Sequence, residues 1–185
     1  MPKYHHRLIQ TILLSLSFLF LCSCSSTKVQ DYASETPVLK LSEYFNGKIK
    51  AYGIFTDRSG KVVKRFTVDI SSNWKIIDGV NTGTLDESFV YSDGTTQKRI
   101  WTIKETSQNQ YEGTAADVKG VAIGNAAGNA LNWRYTLLLP VDGKPVEVQF
   151  NDWMYLVNQQ VMLNRAQMSK FGIYLGEVTL SFSKE

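Results

Sequence analysis

Apolar and polar residues alternate with a period of two along most of this chain. That restricts it to half-buried β-strands, whose successive side chains leave opposite faces. Ile49, Ala51, Gly53 and Phe55 alternate with Lys48, Lys50 and Tyr52; Phe66, Val68 and Ile70 alternate with Arg65, Thr67 and Asp69. Near the end Val178, Leu180 and Phe182 alternate with Glu177, Thr179 and Ser181. Turn dipeptides stand between such runs: Asn46-Gly47, Ser59-Gly60, Asp78-Gly79, Asp93-Gly94 and Asp142-Gly143. The spacing predicts an all-β fold, a single antiparallel meander of about ten strands. Closing that sheet into a β-barrel removes its edges. Residues 38–185 suffice for one such domain, and no repeat or second boundary interrupts them.

One stretch breaks the rhythm. Gly120, Gly124 and Gly128, with Ala and Asn between them, match neither a dinucleotide fingerprint nor a phosphate loop. The segment is too short and polar to span a membrane. It reads as a loop or a short helix lying where backbone must approach backbone.

The N-terminus follows another rule. A basic start with Lys3 and Arg7 leads into an apolar run from Leu8 to Leu21, the pattern of a secretory signal. The run is about 14 residues, short of the ~20 that a spanning helix needs. It ends in Leu21-Cys22-Ser23-Cys24, which resembles the lipobox of bacterial lipoproteins, with Cys22 a departure at the second position. That resemblance implies a signal peptide over 1–23 and a lipid, palmitate among its acyl chains, on Cys24. It also implies attachment to the outer membrane, because Ser25 rather than Asp follows the cysteine. Residues 24–37 are polar, lack apolar periodicity and end in Pro37, so they read as a flexible tether of roughly 20 Å reach.

Cleavage there leaves a restricted chemical inventory. Both cysteines and both histidines, Cys22, Cys24, His5 and His6, lie in or at the edge of the signal. The mature domain therefore has no Cys or His to offer a zinc site, a thiol nucleophile or a Ser-His-Asp triad. No cofactor is implied, no metal site is assigned, and the expectation is a protein that is not an enzyme. Without Lys3 and Arg7, 18 basic residues face 17 acidic ones, so the surface carries no basic footprint for nucleic acid.

Alternation also makes certain charges conspicuous. Glu87 shares a face with Leu85, Phe89 and Tyr91, and Arg99 shares one with Trp101 and Ile103. A three-residue loop, Ser92-Asp93-Gly94 with Gly94 left-handed, is the common bulged hairpin connection. It aligns the two apolar faces and sets Glu87 opposite Arg99 and Leu85 opposite Trp101. Further on, Val146, Val148, Phe150, Asp152, Met154 and Leu156 form one face, and Val161, Leu163 and Arg165 another. A four-residue loop over 157–160 would set Asp152 opposite Arg165; a two-residue loop would keep them on one face but no longer directly opposite. Two acid–arginine pairs are thus expected inside the sheet. They serve either as ion pairs fixing register or as a polar site that orients a ligand head group in an apolar cavity. A hydrolytic couple of Glu87 with Asp152 would need a separation of ~5–10 Å. Trp153 and Tyr155 fall on the outward face, either displayed to a partner or covered by the tether.

The lipobox together with Phe45-Asn46-Gly47, Asp57-Arg58-Ser59-Gly60, Arg99-Ile100-Trp101, Gly128-Asn129-Ala130, Trp133-x-Tyr135, Asn151-Asp152-Trp153-Met154 and Asn164-Arg165 resembles an uncharacterised family of Gram-negative lipoproteins. The resemblance covers nearly all of the mature domain. It implies a lipocalin-like barrel, in a family some of whose members are encoded near enzymes that modify membrane fatty acids, and it carries no catalytic residue. The resulting expectation is a lipoprotein held to the membrane through acylated Cys24. Its barrel would bind a fatty acyl or other apolar ligand at the periplasmic side of the outer membrane, with Arg99, Arg165, Glu87, Asp152 and Trp101 as ligand-binding residues. The alternative is a structural or interaction lipoprotein with a filled core and an unidentified protein partner.

Overall fold

The computed structural model describes residues 26–141 and 143–185. The expected signal peptide, Cys22 and the expected lipid acceptor Cys24 lie outside the described residues, as does Asp142. Ten strands follow one another in the chain: β1 (Gly47–Asp57), β2 (Val62–Ile77), β3 (Val80–Tyr91), β4 (Thr96–Ser107), β5 (Gln110–Thr114), β6 (Ala122–Ala127), β7 (Ala130–Val141), β8 (Lys144–Leu156), β9 (Val161–Lys170) and β10 (Ile173–Lys184). Each pairs antiparallel with the next, and β1 pairs with β10, so the meander closes into a barrel. The alternation read from the sequence is the inside–outside alternation of this wall. Ile49, Ala51, Val68, Ile70 and Phe182 are buried within it.

The outer wall carries the charges. Lys50 meets Asp69 at 3.2 Å, Lys98 meets Asp86 at 3.3 Å and Arg165 meets Glu177 at 2.6 Å. Such exposed pairs contribute about 0–1 kcal/mol each. An apolar interior and a charged exterior reverse the pattern of a barrel that spans a bilayer, whose outer face is an apolar band.

One end is plugged. A four-residue helix, α1 (Leu41–Tyr44), turns into Phe45, and Leu41 and Phe45 both become buried inside the barrel. Burying side chains of this size stabilises the fold by about 1.5–3 kcal/mol each. The helix is too short to hold itself, and its polar groups are tied down by the barrel wall. The Tyr44 hydroxyl donates to the Gln160 carbonyl at 3.1 Å, Trp74 Nε1 donates to the Phe45 carbonyl at 2.6 Å, and Lys184 Nζ donates to the Glu43 carbonyl.

Two sequence expectations are corrected here. The Gly/Ala-rich stretch is neither a loop nor a short helix: it is β6, the tip at Gly128-Asn129 and the start of β7. Gly124 sits opposite Trp133 on the inner face, and a Cβ there would lie 2.3 Å from the indole ring. Gly128 has φ +52° and packs against the Tyr32 carbonyl oxygen, the backbone-to-backbone approach that the spacing implied.

The second correction concerns the tether. From Val29 it is docked, not free. A 3-10 turn (Val29–Tyr32) packs beside β6 and β7, and Leu39 N–H donates to the Gly128 carbonyl at 2.8 Å. The Tyr32 ring lies 6.0 Å from Trp153 and 5.3 Å from Tyr155. Those two outward aromatics are therefore covered by the chain's own N-terminal segment. The described residues leave no open sheet edge and share one core, so 26–185 is a self-contained folding unit.

Candidate binding cavity

Ten strands enclose more space than these side chains fill. The interior holds a cavity of about 600 Å³, within the ~300–1,000 Å³ range of small-molecule sites. Its floor is Leu41, Phe45, Leu131 and Phe182, and its walls include Phe66, Phe89, Trp101, Trp133 and Phe150. Lys64, Thr95, Gln97 and Pro140, from the β1–β2, β3–β4 and β7–β8 ends, line the opposite end, which is the mouth.

A polar belt crosses this apolar interior at mid-depth. The β3–β4 hairpin has the expected three-residue loop, with Gly94 at φ +81° and Tyr91 N–H bonded to the Thr95 carbonyl at 2.9 Å. Glu87 therefore sits opposite Arg99 and Leu85 opposite Trp101, as the sequence implied. Arg99, however, gives its hydrogen bonds to Asp117. Nε donates to both carboxylate oxygens at 3.0 Å and Nη2 donates to Oδ2 at 2.8 Å. Glu87 Oε2 lies 3.9 Å from Nη1, a charge contact without a hydrogen bond. Asp117 is reinforced by Gln97 Nε2 at 3.2 Å, and Gln97 Oε1 in turn accepts from the Tyr91 hydroxyl at 2.8 Å.

Asp117 comes from the connection between β5 and β6. Both strands are short, and that connection fills the gap above them by pairing Val118 with Leu137 of β7. Strand parity says nothing about a loop residue, which is why the sequence did not reveal Asp117 as the guanidinium's main partner.

The second expected pair does not form. Asp152 points inward, 6% exposed, but it lies opposite Ala166, while Arg165 pairs across from Trp153 on the outer wall. The β8–β9 loop has three residues, Asn158 to Gln160, not four. Val157 N–H bonds the Val161 carbonyl at 2.9 Å, and Asn158 Oδ1 accepts from the N–H groups of Gln160 and Val161 at 2.8 Å each. One residue fewer in the loop turns every β9 side chain to the other face. Met162, Asn164, Ala166 and Met168 thus face inward, and Arg165, with its side chain 63% exposed, binds Glu177 outside. Arg165 is not part of the cavity. Asp152 instead accepts from the Tyr135 hydroxyl at 3.4 Å, a contact that the sequence did not reveal.

The belt is under-satisfied. Among the described residues three buried side-chain polar atoms lack a hydrogen-bond partner, and two of them are Glu87 Oε2 and Asp152 Oδ1. Burial raises the Glu87 carboxyl from its ordinary 4.5 to about 7, against the pull of Arg99 and with the repulsion of Asp117. Burial likewise raises Asp152 from 3.8 to about 7, the Tyr135 hydroxyl and Arg99 opposing. Burial pushes the Tyr135 hydroxyl well above 10, with Asp152 adding to the rise. Burial works against the Arg99 charge, but Asp117 and Glu87 outweigh it and hold the guanidinium above its usual range. The belt thus offers one cation already engaged by a carboxylate, and two further carboxyls that each hold a proton near neutral pH.

The chain belongs to the DUF3833 family of proteins of unknown function, whose pattern it matches over residues 18–184. No curated protein matches it. Among solved structures, the barrel is similar to the S-type phycobiliprotein lyase CPES of Guillardia theta. The TM-score is 0.59 at 6% identity, over 86% of this chain and 98% of that one. It is also similar to a protein of unknown function from the DUF3598 family of Nostoc punctiforme. There the TM-score is 0.53 at 11% identity, over 82% of this chain and 51% of that one. At such identities the likeness is one of fold.

Proposed function

We propose that this member of the DUF3833 family is a lipid-anchored, non-catalytic carrier. Its barrel holds a fatty acyl chain or another apolar molecule on the periplasmic side of the outer membrane. The observation that carries this reading is the cavity: about 600 Å³, aromatic and aliphatic walls, a plugged floor and an open mouth. A barrel filled solid by its own side chains, the structural alternative, does not fit that volume.

The anchor rests on Leu21-Cys22-Ser23-Cys24. The docking of residues 28–39 at the plugged end supports an orientation in which that end lies toward the anchoring membrane and the mouth away from it. Beside the mouth the adjacent β1–β2 and β9–β10 tips expose Val62, Val63, Ile173 and, at 88%, Phe171. This apolar lip suits the passage of an apolar ligand. Catalysis by the acid pair is disfavoured. An acid–base couple needs one carboxyl pushed up and one left ionised, whereas Glu87 and Asp152 rise together.

Two measurements test the reading. Native mass spectrometry of residues 26–185 from cell extract is expected to show a retained small molecule, and the emptied barrel is expected to take up a neutral solvatochromic dye. A barrel that carries nothing and takes up no dye is not a carrier. Metabolic labelling with an alkyne palmitate is expected to mark the full chain and to be lost in Cys24→Ser; undiminished labelling of that variant removes the anchor from Cys24.

A further inference from the structure

The belt points to a ligand chemistry that the arginine alone would not suggest. We propose that the cavity selects an apolar molecule bearing an ammonium group, which Glu87 and Asp152 bind, and discriminates against the corresponding carboxylate. This deepens the carrier reading and rests on it.

Each belt group differs in what it still lacks. Arg99 would be the natural receptor for a fatty acid head, because it cannot shed its charge and its planar fork matches a carboxylate. That fork is occupied: Nε and Nη2 are bound to Asp117 at 2.8–3.0 Å, and Nη1 faces Glu87 at 3.9 Å. An incoming carboxylate would bring another acid to a guanidinium already shared by two. Above about pH 7, where both acids are ionised, the unmet demand is for donors. Asp152 is 94% buried by its 6% exposure, and its Oδ1 has no partner; Glu87 Oε2 has none either, and both residues line the cavity. A buried carboxyl oxygen without a donor is costly, and a positive N–H group satisfies both the hydrogen bond and the charge.

The surrounding groups agree. Facing the two acids are Arg99 from β4, Asp117 from the β5–β6 connection, Tyr91 from β3 and Tyr135 from β7. From β9 and β10 the cavity receives Asn164, Ala166, Met168, Val178, Leu180 and Phe182, none of them titratable. Asp86 shares β3 with Glu87 but binds Lys98 on the outside. With Arg99 and Asp117 cancelling, and Lys64 at the mouth paired with Asp93 at 2.9 Å, the ionised acids leave the site negative. Because burial holds their protons to about pH 7, ammonium binding releases protons and strengthens as pH rises from 6 to 8.

The test uses residues 26–185 and a matched series, dodecylamine, dodecanol and dodecanoic acid, each displacing the neutral dye Nile red. At pH 8 the amine is expected to bind at least tenfold more tightly than the acid, with the alcohol between them. Glu87→Gln and Asp152→Asn keep the shape of the side chains and relieve buried charge, so they fold. Each is expected to weaken the amine about tenfold while leaving the alcohol within twofold. Equal or tighter binding of the acid by the parent overturns the proposal, as does an amine preference that survives both substitutions. Those results leave the carrier reading standing provided the alcohol binds. If none of the three displaces the dye, both readings fall.

Discussion

The plug and the belt of the barrel interior treat buried polar groups in opposite ways. At the plug, Trp74, Tyr44 and Ser72 donate to backbone carbonyls of other elements, Phe45, Gln160 and Gly47, and among the described residues the unpartnered atom at this end is the neutral amide oxygen of Asn129. At the belt, Glu87, Arg99 and Asp152 line an open volume, Asp117 binds Arg99, and two carboxyl oxygens remain unpartnered. A fold gains by satisfying buried polar groups, and at the plug the donors of Trp74, Tyr44 and Ser72 are all taken up, whereas the belt leaves carboxyl oxygens, the costlier groups to bury, without a donor. The deficit at the belt is therefore the mark of a place built for something other than stability.

The largest effect that would sharpen this contrast is expected from Arg99→Met. Removing the guanidinium strands the Glu87 and Asp117 carboxyls inside the wall, and breaking a buried pair from one side costs about 3–5 kcal/mol. Urea unfolding at pH 8 measures it. A loss below about 1 kcal/mol would mean that the belt is wetter than its burial implies.

Next comes the pH dependence of the parent. The folded-state pKa values of Glu87 and Asp152, both about 7, stand above their ordinary 4.5 and 3.8. Within that window the folded form holds protons that the unfolded form has released. Stability therefore falls as pH rises from about 4 to about 7, by at most about 1.4 kcal/mol per unit for each group, and levels off above. Thermal unfolding across that range is expected to show the slope, and Glu87→Gln with Asp152→Asn is expected to flatten it. A flat parent profile would contradict the buried-acid account. The plug, by contrast, is expected to contribute no such slope.

A smaller effect belongs to the plug itself. Trp74→Phe keeps the ring against Gly83, over which the indole lies, but deletes the donor to the Phe45 carbonyl. The expected cost is about 1–2 kcal/mol by denaturant titration, with the pH slope unchanged. The smallest effect is expected at Arg165→Met on the outer wall. The exposed Arg165–Glu177 pair is worth less than about 1 kcal/mol, and ligand affinity should not move. A change in affinity there would return Arg165 to the site from which its register removes it.

The contrast between Arg99 and Arg165 also marks where sequence reading stops. Alternation with period two is a local consequence of strand geometry. It made a meander of about ten strands, the inner faces of β1, β2 and β10, and the inward aim of Glu87, Arg99, Trp101 and Asp152 legible without any coordinates, though not β6. The Asp93-Gly94 turn announced its three-residue loop through a glycine that tolerates φ +81°. The β8–β9 loop gave no such sign. Its length is set by Asn158 capping two backbone N–H groups, and that single residue of difference sent Arg165 outside.

Asp117 was beyond reach for a related reason. A loop has no parity, so only the closing of β5–β6 over the wall could bring its carboxylate to Arg99. The docking of Tyr32 on Trp153 and Tyr155 likewise joins residues more than a hundred positions apart. Alternation sorted each strand's residues into two faces, because it is a property of each strand alone. Which residues of those faces meet, how much space they leave and which carboxyl oxygens lack a partner emerge only when the barrel closes. Those quantities depend on loop lengths and on closure, and no local pattern encodes them.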